Sequence, residues 1–273
     1  MTAPKHIAVI VTTYNRPDAL AAALAGYAAQ SDRDFELLIA DDGSTADTRA
    51  AVEAFRKHAP FKLIHIWHQD QGFRAAAIRN RALAATHAEY IVFSDGDCVP
   101  RPDFVAQHRR LAECGCFVSG NRILLSATFT HRVLSAALPI HDWKLGDWLM
   151  AWAKRDVNRF LPLIALPVGA LRNAAPQRWE GVKTCNLAAW RDDLVRVNGL
   201  DEAYSGWGLE DSDLVVRLLH AGVAHKSARY AAPVLHLWHA ENDRGRLPEN
   251  RQRLADLLRS NRVRAQAGLD RYA

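Results

Sequence analysis

The sequence predicts an α/β fold, a mostly parallel central sheet flanked by helices. Three observations carry that prediction. Four short apolar runs, residues 6–11, 35–40, 62–67 and 90–94, alternate with stretches of helical periodicity. Three of those runs close on polar clusters: Thr12-Thr13-Tyr14-Asn15, Asp41-Asp42 and Asp95-Gly96-Asp97. The composition is that of an ordinary folded chain, 273 residues with 49% hydrophobic and 24% charged. Strands that alternate with helices pair in parallel through right-handed crossovers, with helices on both faces.

Taken in order, His6 to Val11 is short, apolar and β-branched, the pattern of a buried strand. Pro17 then suits a first helical turn, and Leu20, Leu24 and Tyr27 repeat at helical spacing. Phe35 to Ala40 forms the second strand and enters Asp41-Asp42-Gly43-Ser44, after which a helix runs through Val52 and Phe55. Lys62 to Trp67 is the third strand. Arg74 to Thr86 is an Ala-rich helix with Ile78 and Leu83 turned inward. Tyr90 to Ser94 is the fourth strand, and Phe104, His108 and Leu111 mark a further helix. The second half is less regular. Leu214 to Ala221 reads as a helix, Ala231 to Trp238 as a strand, and Cys185-Asn186 as the approach to a helix. The expected organisation is a first half over 1–125, a second half over 126–243 sharing its core, and a basic helix over 244–273. The second half carries a Trp- and Leu-rich insertion at about 138–175.

Composition removes several classes. A formal net charge of +5 with high apolar content excludes dominant disorder. Fifteen Gly and 11 Pro exclude a collagen-like chain. Cys98, Cys114, Cys116 and Cys185 have no zinc-type spacing and are too few for a disulfide scaffold, so they read as reduced thiols of a cytoplasmic protein. The first apolar run is too short for a secretory signal, and no run reaches the ~18 apolar residues of a membrane span. Eight Arg between Arg244 and Ala273 face only Glu249, Asp256 and Asp270. They read as a solvated helix face, and no nucleic-acid partner is expected.

The chemistry sits at the strand ends. In a parallel sheet these ends share one edge, and open α/β sheets bind ligands outside that edge. Each cluster alone is ordinary turn chemistry; three together point to a site. Neither G-x-G-x-x-G nor G-x-x-x-x-G-K-[ST] follows the first strand, so phosphate is held another way. Asp95-Gly96-Asp97 offers two carboxylates around a residue that lets the backbone bend, the oxygen donors a magnesium or manganese ion takes together with substrate phosphates. Glu210 and Asp211 read two ways from residue type. They are either a carboxylate pair for acid–base work or, with Ser212 and Asp213, the capped start of the helix that follows.

VTTYNRP, DDGS, GFRAAAIRN and a strand closing on SDGD together resemble a family 2 glycosyltransferase of the GT-A fold. Gly206-Trp207-Gly208-Leu209-Glu210-Asp211 adds a W-G-x-E-D element similar to the acceptor-side motif of β-1,4-galactosyltransferases and of bacterial polymerases of the chondroitin type. The resemblance implies inverting transfer of a sugar from a UDP-sugar to a saccharide or lipid-linked saccharide acceptor, with a divalent metal (Mn or Mg) as cofactor. It implies that Thr12 and Tyr14 hold the uracil, Asn15 lies on the same side, Asp42 meets the uracil N–H and Arg74 contacts the nucleotide. Asp95 falls at the ribose or metal position and Asp97 at the metal ligand. His239 of HLWHAEN falls at a second metal ligand, with His236 as the other candidate. Asp211 falls at the base position; Glu210, Trp207 and Asn186 fall on the acceptor side. His65 and His68 read as packing residues.

Residues 138–175 fit either of two readings. Trp143, Trp148 and Trp152 beside Lys144, Lys154, Arg155 and Arg159 suit an interfacial membrane element, a possible peripheral contact with the inner face of the cytoplasmic membrane. A buried subdomain or subunit contact fits equally simply. The function expected is a glycosyltransferase of lipopolysaccharide, capsule or other surface-glycan synthesis. The alternatives are a catalytically silent sugar- or nucleotide-sugar-binding protein, and a nucleotide-sugar pyrophosphorylase, which usually opens with a Gly-rich loop where this chain has TTYNRP.

Overall fold

A computed structural model describes residues 3–241 and 243–272. Met1, Thr2, Ala273 and Asn242, the last residue of HLWHAEN, lie outside the described residues. The four expected strands form as β1 (Ile7–Thr13), β2 (Phe35–Asp41), β3 (Lys62–Trp67) and β4 (Tyr90–Asp95), linked by α1 (Pro17–Ala28), α2 (Ala46–Arg56) and α3 (Ala75–Ala84). There follow β5 (Cys98–Pro100), α4 (Phe104–Leu111), β6 (Cys116–Ser119), β7 (Arg122–Leu124), α5 (Ala127–Ser135) and α6 (Leu145–Ala153). The chain continues through β8 (Asn186–Trp190), α7 (Arg191–Arg196), α8 (Glu210–His220), β9 (Ala224–Ser227), β10 (Val234–His236) and α9 (Leu247–Leu258).

The main sheet has the order β3-β2-β1-β4-β8-β6-β9, and β8 runs antiparallel to both its neighbours. A small second sheet has the order β5-β10-β7. Both faces of the main sheet are covered, which is why its strands read as unbroken apolar runs. Ile7, Val9 and Val11 pack with Leu20, Leu24 and Tyr27 on one side; Ala8 and Ile10 pack with Ile78 and Leu83 on the other.

Strand order reverses between β1 and β4, and this switch point lies under the polar clusters. Thr12 pairs with Asp95 across it, while Thr13 pairs with Asp41 on the other side. The carboxyl ends of β1, β2 and β4 therefore stand side by side, the arrangement that opens a ligand crevice.

Four expectations change. Asn186 begins strand β8 instead of preceding a helix directly, because pairing of Asn186–Trp190 with β4 overrides the helical preference of its two alanines. The strand expected over 231–238 shrinks to β10, in the second sheet. The helix expected from Leu214 begins four residues earlier, at Glu210. The basic tail is not one helix: α9 ends at Leu258, and the rest folds back on α7, with Ala265 N–H donating to Val197 O and Glu202 N–H to Ala267 O. Its arginines are largely paired, Arg262 with Asp201 and Asp213, Arg271 with Glu202, and Arg246 with Glu249.

The 138–175 insertion builds a core of its own. Ile140, Trp148, Ala151, Val157 and Leu163 pack with Val99 and Leu235 of the small sheet and with Leu237 just beyond it. Among the described residues no helix is long and apolar enough to cross a membrane.

Candidate active site

The site is assembled from β-strand ends and one helix start. Gly96 explains why the first carboxylate pair needs a glycine. A Cβ there would stand 2.9 Å from Thr13 Oγ1, and Gly96 N–H donates to Thr12 O at 2.7 Å. The glycine permits close packing of the β4 exit against β1; its backbone is not in a left-handed conformation.

Beyond it, Asp97 is flanked by two imidazoles. His239 Nε2 lies 3.4 Å from Asp97 Oδ2 and His236 Nε2 lies 3.7 Å from Oδ1. The two rings are 5.3 Å apart. His236 ends β10 of the small sheet, whose neighbour β5 begins one residue after Asp97, so that sheet delivers both histidines to the carboxylate. One ligand atom each from Asp97, Cys98 and His236 lies within 4.8 Å of the others. Burial holds the His236 imidazole below its ordinary value, the neutral form that binds metal. A carboxylate with two imidazoles is a donor set that fits manganese better than magnesium.

Asp95 turns the other way, to Arg79. Arg79 Nη2 donates to Asp95 Oδ1 at 2.9 Å, Nε to Thr12 Oγ1 at 2.8 Å, and Nη1 reaches Glu210 Oε1 at 3.4 Å. The guanidinium is buried. Burial pushes the Asp95 carboxyl above its usual range, against the pull of Arg79, and the Asp97 charge adds to the rise. One arginine on α3 thus ties β1 and β4 to the start of α8.

That start is geometrically unusual. Gly206, Gly208 and Leu209 all have positive φ, +76° at Leu209, so the chain coils into α8 through a left-handed turn that delivers Glu210 and Asp211 together. Both are buried. Burial and the Asp211 charge push Glu210 up to about 7, with Arg79 opposing, and Glu210 Oε2 has no protein partner. Asp211 accepts from the Ser212 N–H at 2.7 Å and pairs with Lys183 at 3.3 Å. The cap reading and the carboxylate-pair reading of this motif therefore hold at once. Trp207 is half-buried beneath the Arg244 guanidinium, 5.1 Å from its ring centre.

On the β2 side, Asp42 is buried and fully engaged: Oδ2 accepts the Arg74 backbone N–H at 2.8 Å and Oδ1 lies 2.7 Å from His68 Nε2. Burial raises its pKa against these partners. Tyr14 is exposed and donates to Asp70 at 2.9 Å. Asn15 locks a turn, its Oδ1 accepting the Thr45 N–H at 2.9 Å. Arg74 reaches Gln71 with its side chain and lines a cavity of about 300 Å³ shared with Tyr204, Ser205, Gly206 and Arg246. This cavity lies between the loop over residues 71–74 and the W-G-x-E-D loop.

Asn186 is a correction. Its amide donates to Ala232 O at 2.7 Å and Asn121 O at 3.2 Å, and its Oδ1 lies 3.1 Å from His108 Nε2. The side chain is buried and spent inside the protein, so it offers nothing to an acceptor. His65 and His68 are also more than packing, because they hold Asp41 and Asp42 at 2.9 and 2.7 Å. Arg79 and Lys183 were missed. An arginine on the otherwise alanine-lined buried face of α3 was the signal for Arg79; Lys183 lies in irregular chain and had none.

The family model described as "Glycosyl transferase family 2" matches residues 8–156, and that described as "N-terminal domain of galactosyltransferase" matches residues 169–240. Validoxylamine A glucosyltransferase of Streptomyces hygroscopicus subsp. jinggangensis is 27% identical over 227 residues, 80% of this chain and 52% of that protein. Chondroitin synthase of Escherichia coli is 24% identical over 246 residues, 82% of this chain and 34% of that protein. The chain thus spans about half or less of these relatives. A mannosyltransferase from Pyrobaculum calidifontis in complex with GDP-Man and Mn2+ superposes with a TM-score of 0.61 at 20% identity, covering 95% of this chain and 66% of that one. S. aureus TarS 1-349 in complex with UDP gives 0.61 at 15% identity, covering 98% and 68%. The GT-A architecture expected from the motifs is the one these structures share with this chain.

Proposed function

The chain belongs to glycosyl transferase family 2, and on that premise we propose that it is an inverting, metal-dependent glycosyltransferase that moves a sugar from a UDP-sugar to a saccharide acceptor. The observation that carries the proposal is the buried Arg79, which brings Asp95 of the donor side and Glu210 of the acceptor side to one guanidinium.

In this reading Thr12, Tyr14, Asn15, Asp42 and Arg74 form the nucleotide side. Asp42 is held by His68 and the Arg74 N–H, and a remaining carboxylate lone pair would accept the uracil N–H. Asp97 with His239 and His236 would hold a divalent cation, manganese by donor type, which when bound supplies Lewis-acid stabilisation of the departing diphosphate. Asp211 takes the acceptor hydroxyl proton as that oxygen attacks from the face opposite UDP, and Glu210 and Trp207 hold the acceptor sugar. Lys183 pairs with Asp211 at 3.3 Å and fixes that carboxylate in place.

A second assignment of the base has its own support. Glu210 Oε2 is without a protein partner, and the group sits at about 7, near the pKa that suits a general base at neutral pH. The setting proposed is surface-glycan synthesis, lipopolysaccharide or capsule, on the cytoplasmic side. Kinetics of Asp211→Asn and Glu210→Gln separate the two assignments. Asp211 as base predicts that Asp211→Asn loses transfer by about 10²-fold or more with UDP binding retained, and that Glu210→Gln raises KM. Normal turnover by Asp211→Asn would end that assignment.

A further inference from the structure

We propose that the outer face of α6 docks this protein on an anionic phospholipid surface. Past Asp147 in its first turn, α6 is apolar. Trp148 and Ala151 enter the insertion core, Leu149 and Met150 remain 46% and 57% exposed on the opposite side, and Trp152 flanks the buried face, 48% exposed. Apolar side chains left on the outer side of a packed helix call for a second apolar environment there. The patch continues beyond the helix: Phe160 lies 6.5 Å from the Trp152 ring, and the adjacent Leu161 is 62% exposed. An apolar patch of this kind marks an interaction surface.

Charge decides the occupant. Lys144, Lys154, Arg155 and Arg159 are exposed around this face, and among the described residues none of the four forms an ion pair. Of the nearby acids, Asp142 is exposed beside His141, 3.5 Å from its Nε2, and the other two are engaged within the protein. Asp147 accepts the Lys144 backbone N–H at the start of α6, and Asp156 pairs with Arg132. Leucine, methionine and tryptophan surrounded by unpaired cations match the interfacial zone of an anionic bilayer, where apolar side chains enter the acyl boundary and cations meet headgroup phosphates. A second copy is a poor occupant. A two-fold contact sets the same patch against itself, and the rim would bring lysines and arginines toward their own counterparts. The small sheet beneath α6 also carries His236.

The inference rests on the surface alone and not on the reaction proposed above. Its test is co-sedimentation of the full chain with vesicles of phosphatidylcholine, and of phosphatidylcholine mixed with phosphatidylglycerol. The wild type is expected to pellet with the mixed vesicles, less so as salt is raised. Leu149→Glu with Met150→Glu, and separately Lys154→Glu with Arg159→Glu, each lower the partition coefficient by about tenfold or more. Circular dichroism and melting temperature show that the variants are folded; the charge pair lies wholly on the surface and serves if the apolar pair does not fold. Wild type that stays in the supernatant with both vesicles at low salt overturns the proposal. So does a solution dimer that Leu149→Glu with Met150→Glu converts to monomer.

Discussion

Arg79 and Glu210, 131 residues apart in the chain, meet at 3.4 Å inside the protein. The same guanidinium donates to Asp95 at 2.9 Å and to Thr12 at 2.8 Å. A buried arginine between two carboxylates fixes their spacing, and with it the distance between the ends of β1 and β4 and the start of α8.

Removing that guanidinium leaves the buried Glu210 and the part-exposed Asp95 without their shared cation. Arg79→Met is expected to lose about 3–5 kcal/mol of stability, read by urea denaturation. Arg79→Lys keeps the charge but not the planar fork, so it should melt nearer the wild type while transfer falls by about tenfold or more. An Arg79→Met protein as stable and active as the wild type would remove Arg79 from the account.

Glu210 gives the pH dependence. Its folded pKa is raised to about 7, above that of the unfolded chain. Between the unfolded value and about 7 the native state holds a proton that the unfolded state has lost, so this group's contribution to stability falls as pH rises through that window and then levels. Glu210→Gln escapes the fall. It should exceed the wild type in stability by up to ~3 kcal/mol at about pH 8, with little difference at about pH 4.5. A rise in kcat/KM with an apparent pKa near 7 that Glu210→Gln lacks is the outcome expected of Glu210 as base, the second assignment above, in place of Asp211.

Gly96 separates the two aspartates without space for a side chain. Gly96→Ala places a Cβ 2.9 Å from Thr13 Oγ1, so the β4 exit must move. The expected cost is ~1–3 kcal/mol of stability and a larger loss of metal-dependent UDP affinity than of fold, measured by calorimetry beside a thermal melt.

Asn186 should behave as a structural residue. Asn186→Ala strands the carbonyls of Ala232 and Asn121, which costs about 1–3 kcal/mol, and leaves KM for the acceptor unchanged. A selective rise in acceptor KM would restore it to the site.

The first four strands were legible because a sheet covered on both faces writes itself as uninterrupted apolar runs, and because each run ends where its polar cluster begins. The short strands β5, β6, β7 and β9 carry three or four residues each, too few for a period to emerge. β8 was hidden because two central alanines say nothing of strand, and only its pairing with β4 makes it one. At the site, Asp95, Asp97, Glu210 and Asp211 were readable from motifs. Their connection through Arg79 was not, since it depends on how α3 packs and not on local spacing. His68 and Asn186 exchanged expected roles for the same reason: hydrogen-bond partners more than twenty residues away decide what each side chain does.

The proposed reaction depends on a metal-dependent nucleotide-diphosphate site built on Asp97. Calorimetric titration of UDP into the wild type and Asp97→Asn, with manganese and then with EDTA, tests that site. The wild type is expected to bind saturably and about tenfold or more weakly in EDTA, and Asp97→Asn to bind weakly even with manganese present. Equal UDP affinity in manganese and EDTA, unaffected by Asp97→Asn, would contradict it.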